Sequence, residues 1–203
     1  MLEVEMKFRV DDPAEYEKRL ESILDMSLGP ATVEEDEFYR CDALGFPDNG
    51  KMLRIRRRGN DLVATFKGPR LDDETKTREE IELPLASPSL SSPENSGALV
   101  ERAQRDWSRF FQRLGFEPAA RLLKTRRCAR AHFDGREIEI SVDSLEGLGF
   151  FTELETIAVE SEFEAASATV KDLAERLGLK DAISKSYLAL KIERELGREI
   201  VEP

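Results

Sequence analysis

Residues 1–10 read MLEVEMKFRV, in which charged and apolar side chains alternate without a break. Successive side chains on a β-strand point to opposite faces, so Glu3, Glu5 and Lys7 share one face and the apolar residues share the other. Two carboxylates two positions apart on a strand lie about 6–7 Å from each other, which suits binding to one hard cation or to two neighbouring ones. A half-buried strand with a solvated charged face gives the same alternation. Repetition along the chain therefore decides how this strand is interpreted.

The same alternation recurs in later strand-like segments. Their charged or polar faces carry Arg54, Arg56 and Arg58; Lys67; Arg78, Glu80 and Glu82; Lys124, Arg126 and Arg130; Glu137, Glu139, Ser141 and Asp143; and Glu153 and Glu155. A flat sheet covered by helices would expose such faces to solvent. A closed barrel would instead direct the apolar faces outward to helices and the charged faces into a lumen. Long charged faces of mixed sign favour the barrel, because a solvent face usually carries Ser, Thr, Gln and Asn as well. Acids and bases buried in a lumen would have to pair or bind ions.

Turn and capping signals divide the chain into strands and helices. Besides the first strand, we expect strands at about 32–40, 51–58, 62–69, 77–85, 120–133, 136–143 and 150–160. Helices are expected at about 12–28, 98–114, 163–177 and 186–196. The segment rich in Ser and Pro at 87–95 is expected to be a loop, because each half of the chain is too small to close a sheet alone. We therefore predict one domain over residues 1–203.

Composition restricts the classes of function. The chain has 203 residues, of which 40% are hydrophobic and 36% charged, with no apolar run long enough to span a bilayer and no signal peptide, so we expect a cytoplasmic globular protein without a membrane partner. Cys41 and Cys128 lack metal-ligand spacing. With His132 as the single histidine, a metal would be held by carboxylates, which favours magnesium or manganese. A net charge of −11 argues against a nucleic-acid partner.

A series of short motifs follows the chain in a fixed order. They are Glu3-x-Glu5-x-Lys7, Leu53-Arg54-Ile55-Arg56, Phe66-Lys67-Gly68-Pro69, Arg78 with Glu80 and Glu82, Lys124-x-Arg126, the run from Val142-Asp143 through Gly147-Leu148-Gly149 to Glu153-Leu154-Glu155, and Ser186-Tyr187-Leu188. Each motif alone is short and weakly specific. Together they resemble the CYTH superfamily, also called triphosphate tunnel metalloenzymes, which includes class IV adenylyl cyclases and thiamine triphosphatases.

This resemblance implies an α+β fold: an eight-stranded antiparallel β-barrel that forms a tunnel with a charged lumen, with helices packed outside and a triphosphate bound inside. It implies Mg²⁺ or Mn²⁺ held by the carboxylates of Glu3, Glu5, Asp143, Glu153 and Glu155. It implies that the triphosphate oxygens are bound by Lys7, Arg54, Arg56, Lys67, Arg78, Lys124, Arg126 and Lys185. Four of these basic residues are expected to be catalytic, namely Lys7, Lys67, Lys124 and Arg126.

One segment departs from the family pattern. Family members often carry an aromatic pair followed by Asp, whereas this chain has Phe38-Tyr39-Arg40-Cys41-Asp42. The insertion of Arg40-Cys41 leaves open how the organic end of a substrate is held. Other basic residues are expected to be surface charges outside the tunnel; they are Lys51, Arg57, Arg58, Arg70 and Lys76.

Two reactions fit the same residues. In a cyclase the ribose 3′-hydroxyl of ATP attacks the α-phosphorus and pyrophosphate leaves, whereas in a hydrolase water attacks the terminal phosphorus. The details of residues 3–10 and 147–151 are closer to the class IV adenylyl cyclase branch, so we expect ATP to be converted to cyclic AMP and pyrophosphate. The alternative is hydrolysis of thiamine triphosphate, inorganic tripolyphosphate or a nucleoside triphosphate. A non-catalytic polyphosphate or nucleotide binder is a third hypothesis, and family analogy also suggests a homodimer.

Overall fold

Eight β-strands and four α-helices make up the described part of the chain, which in this computed structural model comprises residues 2–46, 50–69, 77–86 and 96–197. The strands are β1 (Leu2–Val10), β2 (Thr32–Arg40), β3 (Met52–Arg58), β4 (Asp61–Lys67), β5 (Arg78–Ala86), β6 (Glu117–Phe133), β7 (Arg136–Leu145) and β8 (Gly149–Ala158). The helices are α1 (Pro13–Leu24), α2 (Ser96–Arg113), α3 (Phe163–Arg176) and α4 (Tyr187–Leu196).

The strands form one closed sheet. Their hydrogen-bonded order is β1-β5-β4-β3-β2-β6-β7-β8, with β8 returning to β1. Neighbouring strands run antiparallel, for example β1 with β8 and β6 with β7. A closed sheet has no unpaired edge, and one face of every strand points inward. The predicted fold class, an α+β protein built on an eight-stranded antiparallel barrel with helices outside, is therefore confirmed.

The chain also divides into two compact units, each assembled from three separate segments. The first unit comprises Met1–Thr32, Arg70–Glu79 and Lys124–Ser186. The second unit comprises Val33–Pro69, Glu80–Leu123 and Tyr187–Pro203. Since neither unit is a continuous stretch, this division does not mark a linker between two domains. A single domain over residues 1–203 stays a prediction.

The core of the first unit lies between its strands and the helices α1 and α3. Val4 and Phe8 of β1 belong to one buried apolar cluster with Leu154 of β8 and with Val170 and Leu173 of α3. Apolar side chains at alternate strand positions thus face the helices. Burial of each such side chain stabilises the fold by roughly 1.5–3 kcal/mol, so this apolar face anchors the strand.

The charged face of β1 is buried as well. Glu3, Glu5 and Lys7 are only 1%, 6% and 4% exposed, although they alternate with the apolar residues that pack on the helices. A solvated charged face would leave these side chains open to water. The barrel explanation of the alternating sequence is therefore correct, and a solvated face is excluded for this strand.

The second unit has a core of the same kind. Tyr39, Ile55 and Leu62 of its strands belong to a buried cluster with Val100, and α2 adds Trp107. Ile55 alternates in β3 with basic residues, which consequently lie on the other face of the strand. Helix α2 therefore covers the apolar face of these strands in the way that α3 does in the first unit.

Most element boundaries agree with the sequence expectations to within two residues, and two differ by more. Strand β6 begins at Glu117, three positions before the expected 120, and α1 ends at Leu24 instead of near residue 28. Helix α1 ends early because Asp25 adopts a left-handed conformation, with φ of 51°. At its start, Asp12 accepts hydrogen bonds from the backbone of Ala14 and Glu15, as expected for an N-cap. The expected loop at 87–95 lies outside the described residues, as do Arg70 and Lys76.

Alkaline stability is expected to depend on Tyr16, which joins α1 to β8. Its hydroxyl lies 2.9 Å from Thr152 Oγ1, and both residues are buried. Burial raises the pKa of Tyr16 to about 12, although the hydrogen bond with Thr152 opposes this shift. The raised pKa means that the neutral phenol contributes stability that is complete below about pH 10 and is lost as the pH rises towards about 12.

We predict that Tyr16→Phe removes this dependence while costing about 1 kcal/mol at neutral pH through the lost hydrogen bond. The measurement is the free energy of unfolding in urea between about pH 8 and pH 11.5. Wild type should lose more stability over this range than the variant. Since all other titrating groups are shared, equal losses in the two proteins would contradict the assignment.

Candidate functional site

The first unit carries a buried cluster of acids and bases on the strand faces opposite to its apolar core. We call it the first-unit charged set; its members are Glu3, Glu5, Lys7, Lys124, Arg126, Asp143, Glu153 and Glu155. All except Glu155 are buried, and Glu155 is half-buried. Four strands contribute to it, because the sheet register aligns Lys7 with Glu153 and Arg126 with Asp143.

Arg126 makes the most extensive contacts in this set. Its Nε donates to Asp143 Oδ1 at 2.7 Å and its Nη2 donates to Asp143 Oδ2 at 2.5 Å, a two-pronged pair. The same Nη2 also donates to Glu153 Oε2. Planar guanidinium groups suit this forked geometry, which they also offer to phosphate oxygens. One buried guanidinium thus connects β6, β7 and β8.

Two lysines complete the neutralisation of the same carboxylates. Lys7 Nζ lies 3.1 Å from Glu153 Oε1 and 3.9 Å from Glu5 Oε1. Lys124 Nζ lies 3.3 Å from Asp143 Oδ2. Each of the two carboxylates of Asp143 and Glu153 therefore bridges two cationic side chains. Such mutual pairing is required, because an uncompensated buried charge is strongly destabilising.

Glu3 and Glu155 bring two further carboxylates close together. One oxygen of each lies within 4.8 Å of the other, and Glu3 is almost fully buried. Oxygen atoms at this separation can approach a single hard cation from two sides after small side-chain movements. The carboxylate donors match the preference of Mg²⁺ and Mn²⁺ for oxygen ligands. The residues of the first unit thus fit a divalent cation.

Two other residues of the first unit were predicted to bind phosphate. Arg78 is aligned with Glu3 across the β1–β5 pair, and its Nε is buried without a hydrogen-bond partner among the described residues. Lys185 is half-buried in the segment after α3. That segment is fixed to β1, because the backbone N–H of Ile183 donates to the carbonyl of Lys7 at 2.7 Å. Both residues therefore belong to strands or segments that border β1.

The second unit has its own cluster of acids and bases. We call it the second-unit charged set; its members are Glu34, Asp36, Arg54, Arg56, Lys67 and Glu80. Arg56 Nε and Nη2 donate to the two oxygens of Asp36 at 2.7 and 2.8 Å, and its Nη1 lies 3.1 Å from Glu34. Lys67 Nζ lies 3.1 Å from Glu80. The three predicted phosphate ligands of this unit are thus held by carboxylates.

Arg54 is the third base of the second-unit charged set, and its side chain is only 11% exposed. Its Nη1 donates to Asp36 at 3.4 Å, and its Nη2 lies 4.0 Å from Glu80. Burial lowers the pKa of Arg54, the neighbouring Arg56 lowers it further, and the charge of Asp36 opposes both effects. Its Nε has no hydrogen-bond partner among the described residues. An anion near this guanidinium would relieve its unfavourable burial.

Sequence reasoning missed Glu34 and Asp36. They alternate along β2, which should have placed them on one face, but Glu35 and Glu37 give the other face the same charge. Acidic residues on both faces hide the alternation that reveals a buried charged face in β1. Arg58 was expected to be a surface charge, and its side chain is 45% exposed, but it also pairs with the fully buried Glu34.

The segment that departs from the family pattern has a structural role in the second unit. The Tyr39 hydroxyl donates to Glu37 at 2.5 Å, and its ring packs edge-on against Phe111 of α2. Tyr39 therefore lies on the apolar face of β2, whereas Phe38 is aligned with Arg54 on the charged face. Cys41 follows as a buried free cysteine, and its backbone forms an isolated antiparallel β-bridge with that of Phe46.

Known proteins resemble this chain over nearly its whole length. A protein of Methanocaldococcus jannaschii named "Putative adenylate cyclase" is 28% identical over 194 residues, which cover 94% of this chain and 99% of that protein. A solved structure from Pyrococcus horikoshii superimposes with a TM-score of 0.72 at 26% identity, covering 95% of this chain and 99% of the other.

A Hippeastrum protein, named a "putative adenylyl cyclase" with a dominant triphosphatase activity, shares the fold with a TM-score of 0.57 at 16% identity, covering 98% of this chain and 97% of the other. The sequence model of the CYTH domain matches residues 1–188. The match includes every strand and both charged sets. The chain therefore belongs to the CYTH domain family.

Proposed function

We propose that this protein is a metal-dependent enzyme that acts on a small-molecule triphosphate. The observation that carries the proposal is the first-unit charged set, in which Lys7, Lys124 and Arg126 are buried together with carboxylates. Burying several acids and bases is costly, and replacing them with apolar residues often stabilises a protein. Charges kept in such a position are typical of a site that binds a ligand of high charge. Membership of the CYTH domain family supports the same proposal.

The proposed metal ligands are the five carboxylates of the first unit, Glu3, Glu5, Asp143, Glu153 and Glu155. The proximity of Glu3 and Glu155 makes them the best-placed pair for one cation. Bound Mg²⁺ or Mn²⁺ supplies neutralisation of the charge on the phosphate oxygens and polarises the phosphoryl group. The choice between the two metals, and the number of ions, stay predictions.

The proposed phosphate ligands are basic side chains of both units. In the first unit they are Lys7, Arg78, Lys124, Arg126 and Lys185, and in the second unit they are Arg54, Arg56 and Lys67. Of these, Lys7, Lys67, Lys124 and Arg126 are proposed to stabilise the charge that develops during phosphoryl transfer. Fixed cations that need no reorganisation during the reaction are the principal source of catalysis in such an in-line displacement.

Conversion of ATP to cyclic AMP and pyrophosphate is the reaction that we propose first. The resemblance to class IV adenylyl cyclases in residues 3–10 and 147–151 supports it, and the 28% identical relative bears a cyclase name. Hydrolysis of thiamine triphosphate, tripolyphosphate or a nucleoside triphosphate would use the same charged sets with water as the nucleophile. A non-catalytic binder is less favoured, since all five proposed metal carboxylates are present.

Location and partners follow from composition and family only. No helix in the described ranges is long and apolar enough to cross a membrane. A cytoplasmic location, the lack of a nucleic-acid partner and a homodimer stay predictions. The net charge of −11 supports the predicted lack of a nucleic-acid partner, because an acidic protein repels a polyanion.

Product analysis tests the proposed function directly. Purified protein is incubated with Mg²⁺ or Mn²⁺ and, in parallel, with ATP, thiamine triphosphate or tripolyphosphate. We expect cyclic AMP and pyrophosphate from ATP, with no product when a chelator is added. Release of orthophosphate without cyclic AMP would establish the hydrolytic alternative. Absence of product from every triphosphate would overturn the enzyme proposal.

The proposed metal site is tested by Glu155→Gln. This change removes one negative charge from a half-buried position while keeping the side-chain volume, so we expect turnover to fall by about 100-fold or more with little change in Tm. The matched control is Glu146→Gln, at an exposed position in the β7–β8 turn. Activity is measured across a magnesium titration. If Glu155→Gln retained wild-type turnover at moderate magnesium, Glu155 would not be a metal ligand.

The proposed role of Arg56 is tested by Arg56→Lys, which keeps the charge but loses the planar fork. We expect kcat/KM to fall by about 10-fold, equivalent to about 1.4 kcal/mol of transition-state stabilisation. The matched control is Arg57→Lys, because Arg57 occupies the opposite face of β3 and lies 3.8 Å from Glu101 of α2.

Arg58→Lys should have a smaller effect than Arg56→Lys, since Arg58 is nearly half exposed, although its pairing with Glu34 makes some loss expected. Tm is measured for all three variants, because Arg56→Lys also weakens the pair with Asp36. Equal kcat/KM for Arg56→Lys and Arg57→Lys would show that the charged face of β3 does not contact the substrate.

A further inference from the structure

Ser141 lies on the strand face that carries the first-unit charged set, and none of the roles assigned above involves it. It stands in β7 between Ile140 and Val142, which both pack in the apolar core, so its side chain lies on the charged face. The sheet register places it opposite Glu153 of β8 on one side and Cys128 of β6 on the other. Ser141 is therefore at the centre of the strands that carry the proposed site.

The hydroxyl of Ser141 is buried and unsatisfied. The residue is 2% exposed, and its Oγ has no hydrogen-bond partner among the described residues. The backbone position is fixed, because the carbonyl of Ser141 accepts a hydrogen bond from Thr152 Oγ1 at 2.8 Å. Leaving a buried hydroxyl unsatisfied is unfavourable, and alanine at this position would avoid that cost.

The neighbouring charged groups already bond to one another. The two oxygens of Glu153 accept from Lys7 and Arg126, and the two oxygens of Asp143 accept from Arg126 and Lys124. Ser141 offers a neutral donor opposite Glu153, which is itself bonded to Lys7 and Arg126. A hydroxyl can rotate its proton towards whichever acceptor arrives.

We infer that the Ser141 hydroxyl donates a hydrogen bond to a phosphate oxygen of the bound triphosphate. This inference rests on the proposed function, in which Lys7 and Arg126 bind phosphate oxygens beside it. A neutral donor complements these cations, since it binds an oxygen without adding a further buried charge. Hydrogen bonds from a hydroxyl to an anionic oxygen are short and about twice as strong as those between neutral groups. Ser141 would therefore position the triphosphate.

The test is binding of inorganic tripolyphosphate, in the presence of Mg²⁺, measured by titration calorimetry for wild type, Ser141→Ala and Ser144→Ala. Ser144 is the matched control: it is the same residue type on the same strand, half-buried, and on the opposite face. We expect Ser141→Ala to bind about 10-fold more weakly, equivalent to about 1.4 kcal/mol, and Ser144→Ala to bind as wild type does.

Thermal unfolding separates positioning from a structural role. Because the hydroxyl has no hydrogen-bond partner in the described part of the chain, Ser141→Ala should leave Tm unchanged or raise it. Weaker binding at an unchanged or raised Tm supports the inference. Equal binding by wild type and Ser141→Ala would overturn it, as would a fall of several degrees in the Tm of the variant. Wild type is also titrated with ATP and with thiamine triphosphate. If it bound none of the three triphosphates, the proposed function would fail as well.

Discussion

The pairing of Arg126 with Asp143 and Glu153 is the interaction on which the first unit depends. It joins three consecutive strands through one buried guanidinium. Removing one partner of such a buried set costs roughly 3–5 kcal/mol, because the remaining charge is left uncompensated. A shift of register by one residue would turn every side chain of a strand to the other face and separate these partners. The ion pairs therefore specify the register of β6, β7 and β8 as well as neutralising charge.

The apolar face of the same strands offsets the free-energy cost of burying these ion pairs. Ile138, Ile140 and Leu154 are fully buried and share a cluster with Val170 and Leu173 of α3. Their burial supplies the favourable free energy that offsets desolvation of the charged face. Packing on a helix also restricts movement of the strands. The backbone positions of the charged groups are thereby fixed.

The sequence predicted the barrel and the first-unit charged set because alternation is a local property. Glu3, Glu5 and Lys7 could be assigned to one face from residues 1–10 alone, and their burial agrees with that assignment. Pairing between strands is not local. The pair between Arg56 and Asp36 depends on the register of β2 and β3. Acidic residues on both faces of β2 concealed which of them face Arg56. The exposed fraction of Arg58 likewise depends on where β3 ends relative to Glu34. The unsatisfied hydroxyl of Ser141 could be identified only once its neighbours were known.

The internal ion pairs have a consequence for how the proposed ligands bind. Asp143 and Glu153 accept from Lys7, Lys124 and Arg126, so these cations compete with a metal for the carboxylate oxygens. The same carboxylates compete with phosphate for the cations. A metal bound by the carboxylates would therefore release the basic side chains for phosphate, and a triphosphate bound by the basic side chains would release the carboxylates for metal. By linkage each ligand must strengthen binding of the other to the same degree. In the proposed function, the mutual pairing of these charges thus favours a metal and a triphosphate bound together over either one alone.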